Sequence, residues 1–179
     1  DLDKSVPTSD HIRDIISFVE ASPTSYHAVA ELTRRLEQAG FQRLEETESW
    51  PSVEGRRYVV RDGAVIAWIT PEKVTPQLGA RIVGSHTDSP SFKLKPNATV
   101  TNQGWQQVGM EVYGGGLLNS WLDRDLGLSG RLVTCDGQAH LVRTGPILRI
   151  SQLAPHLDRT VNDDLKLDRQ RHLMPILSV

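Results

Sequence analysis

Ala80-Arg81-Ile82-Val83-Gly84-Ser85 runs directly into His86-Thr87-Asp88-Ser89-Pro90. The first six residues read as a short apolar strand, with the histidine at its end. In an open α/β sheet that end faces the crevice where ligands bind. A metal-bound histidine usually has a carboxylate or carbonyl on its second ring nitrogen, and an acid two residues on is one way to supply it. His86-x-Asp88 is therefore a candidate half of a metal site. The spacing also arises often by chance, and a hydrogen-bonded histidine beside a capping aspartate is the plainer account of it.

Upstream, the apolar period is helical. Ile12, Ile15, Ile16 and Val19 share one face of a helix expected over 10–21, with Ser9 or Asp10 as its cap. Pro23 ends that pattern. A second helix is expected over 25–39. Ala28, Val29, Leu32 and Leu36 form its stripe, Glu31 can pair with Arg35, and Gly40 stands at its C-terminal end. The period then falls to two. Arg57–Arg61 and Ala64–Thr70 flank Asp62-Gly63, a strong hairpin signal.

Downstream of Pro90, β signals dominate. Phe92-Lys93-Leu94-Lys95 alternates and Pro96-Asn97 reads as a turn. Strands are expected at Gln106–Tyr113, Gly130–Cys135, Ala139–Arg143, Ile147–Ile150 and His172–Leu177, with Asp136-Gly137 as a second hairpin turn. The fold class is α/β, with a boundary near Pro90–Pro96.

The 179 residues can bury a core, and the net charge of −2 with both signs mixed argues against nucleic acid or anionic membrane as a partner. No apolar run approaches the ~20 residues of a membrane span. The polar stretch Asp1–Asp10 has no signal-peptide core, and the missing initiator Met suggests residues absent or removed there. The single cysteine, Cys135, fits a reducing, cytoplasmic setting.

Other motifs carry less. Asp123-Arg124-Asp125 could be a catalytic acid pair, but Arg124 bridging two acids is the better reading. Gly114-Gly115-Gly116 lacks the Lys-Ser/Thr of a phosphate loop, and there is no Gly-x-Ser-x-Gly elbow of a serine hydrolase. His11 reads as a solvated first-turn residue, and His27 and His172 as structural. His140 fits a solvent-facing strand position. His156, in Leu153-Ala154-Pro155-His156-Leu157, reads by itself as a core histidine. A zinc hydrolase needs about three protein ligands per metal, and the residues alone reach only a half-site.

In order, the motifs do more. Ser22-Pro23-Thr24-Ser25-Tyr26-His27-Ala28-Val29 is followed by Val83-Gly84-Ser85-His86-Thr87-Asp88-Ser89-Pro90. Gln107-Val108-Gly109-Met110-Glu111-Val112-Tyr113-Gly114-Gly115-Gly116 and Trp121-Leu122-Asp123-Arg124-Asp125-Leu126 come next. Pro146-Ile147-Leu148-Arg149-Ile150, Leu153–Leu157 and His172-Leu173-Met174-Pro175-Ile176-Leu177 complete the series. This series resembles the aspartyl aminopeptidase family of co-catalytic metallopeptidases, from about residue 10 to the last residue.

The resemblance implies a partial α/β/α sandwich, 1–92, as the N-terminal part of a catalytic domain. A β-rich inserted domain used in subunit assembly, 93–179, follows, and both are incomplete. It implies removal of N-terminal Asp or Glu from peptides by a metal-activated water, with two bridged metals, usually Zn2+. It further implies self-association from dimers to dodecamers. By the same resemblance His86 is a metal ligand and Asp88 the catalytic acid that orients it. His156 lies at the active site or on a metal, in its own or a neighbouring subunit. The family's bridging Asp, Glu-Glu pair, further Asp and final His come later than Val179. The chain alone is therefore expected to be inactive. Two rival readings remain: a non-catalytic β-rich assembly module, and a metal carrier with one weak histidine site.

Overall fold

The computed structural model describes residues 6–50, 54–73, 75 and 79–178, and the side chains from residue 9 onward within that span. In chain order the elements are α1 (Val6–Ala21), α2 (Ser25–Gln38), β1 (Gln42–Arg43), β2 (Gly55–Arg61) and β3 (Ala64–Thr70). Then come β4 (Ser91–Asn102), β5 (Trp105–Tyr113), β6 (Asp125–Leu126), β7 (Ser129–Val133), β8 (Ala139–Arg143), β9 (Leu148–Arg149) and β10 (Ile176–Ser178). The fold is mixed α/β. It divides into two compact units, Asp1–Ser89 with Gly130–Leu141, and Pro90–Ser129 with Val142–Val179.

In the first unit α2 forms where its stripe predicts. Thr24 caps it, its Oγ1 accepting the His27 backbone N–H. Ala28 and Val29 are buried. Glu31 binds Arg35 as expected and Arg34 as well. Gly40 takes φ +81° just past the helix, the left-handed geometry that favours glycine there. β2 and β3 pair antiparallel across Asp62-Gly63, with Asp62 at φ +52° as a two-residue hairpin turn requires. β1 adds in parallel to β2. Tyr58, on β2, is fully buried.

Two expectations fail in this unit. α1 begins at Val6, so Ser9 and Asp10 lie inside it, and Asp10 pairs with Arg13 instead of capping. Its stripe of Ile12, Ile15, Ile16 and Val19 forms on one face but stays exposed. The second failure concerns 80–85. These residues form no strand, and Ile82 and Val83 are 88% and 95% exposed. An apolar strand is held by ladder hydrogen bonds to its neighbours, and among the described residues none pairs with this segment.

The second unit is a five-stranded sheet ordered β4-β5-β10-β9-β6. Its core joins Val108, Met110 and Leu148 to a second cluster of Leu122, Ile150 and Leu173. Phe92 touches both, and its ring sits 4.6 Å from that of Trp121. Pro96-Asn97 is not a turn. It lies within β4, where the register with β5 shifts between Leu94 and Thr99. β4 is an edge strand, so a proline costs no ladder bond on its open side. The expected strand from His172 shrinks to Ile176–Ser178, because residues 169–172 turn. Pro175 lacks an N–H, yet its carbonyl still accepts the Val108 N–H at 2.9 Å.

β7 and β8 form a separate two-stranded hairpin whose tip, Gly130–Leu141, groups with the first unit. Gly137 supplies the left-handed turn residue at φ +83° that Asp136-Gly137 predicts. Arg149, and not Arg124, joins Asp123 (3.6 Å) and Asp125 (3.3 Å). Asp125 stands directly opposite Arg149 in the antiparallel pairing of β6 with β9, and Asp123 sits just before it in a turn at φ +53°, so both acids reach the arginine of β9. Gly114 has a packing role: at φ +76°, an added Cβ would come within 3.2 Å of Pro90.

Candidate metal centre

The site segment belongs to the first unit. His86 Nδ1 lies 3.0 Å from Asp88 Oδ1, so the ring N–H donates to the carboxylate. That bond fixes the proton on Nδ1 and leaves the Nε2 lone pair available. The His86 side chain is 92% exposed, whereas that of Asp88 is 35% exposed. The pair thus has the chemistry of one metal ligand with its orienting acid.

Thr87, between them, was not singled out by the sequence. Its Oγ1–H donates to the Gly63 carbonyl at 2.7 Å. The Asp62-Gly63 turn is therefore the anchor of the His86 segment, although β3 and residues 71–85 separate the two along the chain. The turn is held in its own place. Asp62 receives Arg131 from the β7–β8 hairpin at 2.6 Å, and the Arg131 guanidinium lies 4.3 Å from the centre of the Tyr26 ring. Gly63 abuts α2 so closely that a Cβ would stand 2.6 Å from Ser25 Oγ. The Ser25-Tyr26 stretch, the hairpin turn and the His86 segment thus form one connected cluster. A threonine flanked by two candidate site residues was the available signal.

His156 lies in the second unit, exposed, in a turn where Leu157 N–H and Asp158 N–H both donate to the Ala154 carbonyl. It is not the core histidine its apolar neighbours suggest, because the turn holds them at the surface too. His27 is structural, its Nδ1 2.8 Å from Thr24 Oγ1. His172 is structural as well, its Nδ1 accepting the Asp168 N–H at 3.0 Å. Among the described residues no three His, Cys, Asp or Glu side chains gather closely enough to enclose a metal ion. His86 with Asp88 fits a metal as one ligand of a set, and among the described residues the rest of a tetrahedral set does not gather around it.

The order of motifs is that of a zinc metalloprotease family. Residues 18–179 match the family described as Aminopeptidase I zinc metalloprotease (M18), and the chain belongs to that family. It is 55% identical over 168 residues to a probable M18 family aminopeptidase 2 of Streptomyces avermitilis, covering 93% of this chain and 39% of that protein. It is 40% identical over 176 residues to a probable aspartyl aminopeptidase of Ricinus communis, covering 92% and 36%. Among solved structures, the S. cerevisiae mApe1 dodecamer matches with a TM-score of 0.75 at 32% identity, over 84% of this chain and 37% of that one. The chain thus spans less than two fifths of the length of these relatives.

Proposed function

We propose that this chain contributes to a zinc-dependent aminopeptidase that removes N-terminal Asp or Glu from peptides. The observation that carries this reading is the 3.0 Å His86–Asp88 pair, in a segment whose sequence resembles the family's motif. His86 binds a metal through Nε2. Asp88 holds the ring, and Thr87 anchors both to Gly63. His156 acts at a metal site of its own or a neighbouring subunit. Zinc, two ions in the complete site, supplies a water of lowered pKa and polarises the peptide carbonyl.

The name of the Ricinus relative supports the acidic preference, and the dodecameric yeast structure supports self-association. Residues 1–92 form part of the catalytic domain, and 93–179 form part of an inserted assembly domain. An exposed free thiol at Cys135 accords with a cytoplasmic setting.

These 179 residues alone do not turn over substrate, since one oriented ligand does not hold a catalytic metal in place. The test is intact mass, zinc content and hydrolysis of an aspartyl substrate in one sample. A 19.9 kDa species with less than one zinc and no turnover fits the proposal. Turnover at that mass would show the ligand set complete within the chain and the site assignment wrong.

A further inference from the structure

A cavity of about 520 Å³ opens in the second unit, away from the His86 segment in the chain and independent of any metal. Its size is that of a small-ligand site. Leu122, Val161, Leu165 and Ile176 give it an aliphatic wall. Three polar groups on the same lining are unspent.

The first is Gln107. Its side-chain Oε1 is buried and has no hydrogen-bond partner. An orphaned buried acceptor costs about 1–3 kcal/mol, a cost that a ligand N–H would remove. The terminal torsion of glutamine is soft, so the amide can turn toward such a donor. The second is Arg171. Its backbone N–H is bound to Asp168, but its guanidinium makes no hydrogen bond or salt bridge among the described residues. The third is His172. Its Nδ1 accepts the Asp168 N–H, which puts the neutral ring's proton on Nε2 as a donor.

The other charged groups of the lining are engaged. Asp158 Oδ1 accepts from the Thr160 N–H and hydroxyl, and Lys166 pairs with Asp164 at 2.8 Å. Arg171, His172 and Gln107 together offer two donors, one of them cationic, and one acceptor beside the apolar wall, with the neutral Ser151 and Gln152 side chains also on the lining. A ligand complementary to that set carries a carboxylate, an N–H and an aliphatic side chain.

We propose that this cavity binds the free C-terminal end of short peptides that terminate in an aliphatic residue. The carboxylate meets Arg171 and the His172 Nε2–H. The last peptide N–H meets Gln107 Oε1. The side chains lie on Leu122, Val161, Leu165 and Ile176.

The probe is acetyl-Leu-Leu as its free acid, titrated into the 179-residue chain and followed by amide NMR shifts, with acetyl-Leu-Leu amide as the comparison. The expected result is saturable shifts clustered at Gln107, Val161, Arg171 and His172. The amide should bind at least about tenfold more weakly, the size of a lost charge-assisted hydrogen bond. Arg171→Gln, a surface change, should weaken the acid by about tenfold and leave the amide unaffected, erasing the difference between them. Gln107→Leu should weaken both. Equal affinities for acid and amide would overturn the proposal, as would no saturable shift up to about 10 mM, where even a weak site fills. Shifts at these residues that follow protein concentration and ignore the peptide would also overturn it, in favour of a second copy of the chain.

Discussion

His86 Nδ1 and Asp88 Oδ1 stand 3.0 Å apart in a segment with no regular secondary structure, so the side chains hold a geometry the backbone does not impose. Such a carboxylate fixes the orientation of the ring toward a metal. Asp88→Asn keeps the shape and removes the charge. Zinc affinity of the chain, measured by competition with a chromophoric chelator, should then fall about 10- to 100-fold. His86→Ala should remove the binding altogether. An Asp88→Asn affinity equal to that of the parent would mean that the acid does not serve the histidine.

The Thr87 hydroxyl ties this segment to the hairpin turn. Thr87→Val removes the donor at nearly constant volume and leaves the half-buried Gly63 carbonyl to water. The loss should be about 1 kcal/mol, the net worth of one such bond. The local effect should be sharper: hydrogen exchange at residues 86–88 should quicken while β2 and β3 keep their protection. Unchanged exchange at 86–88 would show that other contacts hold the segment.

How much of this was legible in the sequence depends on the range of each interaction. α2 and the β2–β3 hairpin rest on local periods and on Asp62-Gly63, and both formed where expected. Pro96 misled because a proline reads as a turn until the strand carrying it is known to be an edge. Residues 80–85 misled because apolar composition states a need for neighbours and not their presence. His86 with Asp88 was visible because two residues suffice to show it. Thr87–Gly63 and Arg149–Asp123 were hidden because each joins residues more than twenty positions apart.

Acid should loosen the helical pair at a definite place. Hydrogen bonds from Arg34 and then Arg35 hold the Glu31 carboxyl down at about 2, from an ordinary 4.5. Arg35 also reaches Asp14 on α1 at 2.8 Å, so Glu31 supports the contact between the helices. A carboxyl depressed by folding contributes stability that is complete above its unfolded pKa and is lost as the pH falls through the folded one. That window runs from about 4.5 to about 2. Urea denaturation followed by helical circular dichroism should show the parent losing its advantage over Glu31→Gln across this range. A constant gap between the two would remove Glu31 as the titrating group.

At the alkaline end the sign reverses and the residue is Tyr58. Its ring is 1% exposed, and its hydroxyl donates to Glu37 Oε1 at 2.6 Å, tying β2 to α2. Burial first, then the bond to Glu37, pushes its pKa up from 10 to about 12. A raised folded pKa means that the neutral phenol contributes stability below about 10, lost as the pH rises through about 12. Tyr58→Phe keeps the buried ring and removes the hydroxyl. The cost at neutral pH should be about 1.5–3 kcal/mol, the range for a hydrogen bond to a charged partner. It should sit near the lower end, because Glu37 can recover water. Equilibrium unfolding in urea gives that figure, and repeating it from pH 9 to about 11.5 should show the parent falling toward the variant. A variant that loses stability over that range as steeply as the parent would place the alkaline titration elsewhere in the chain.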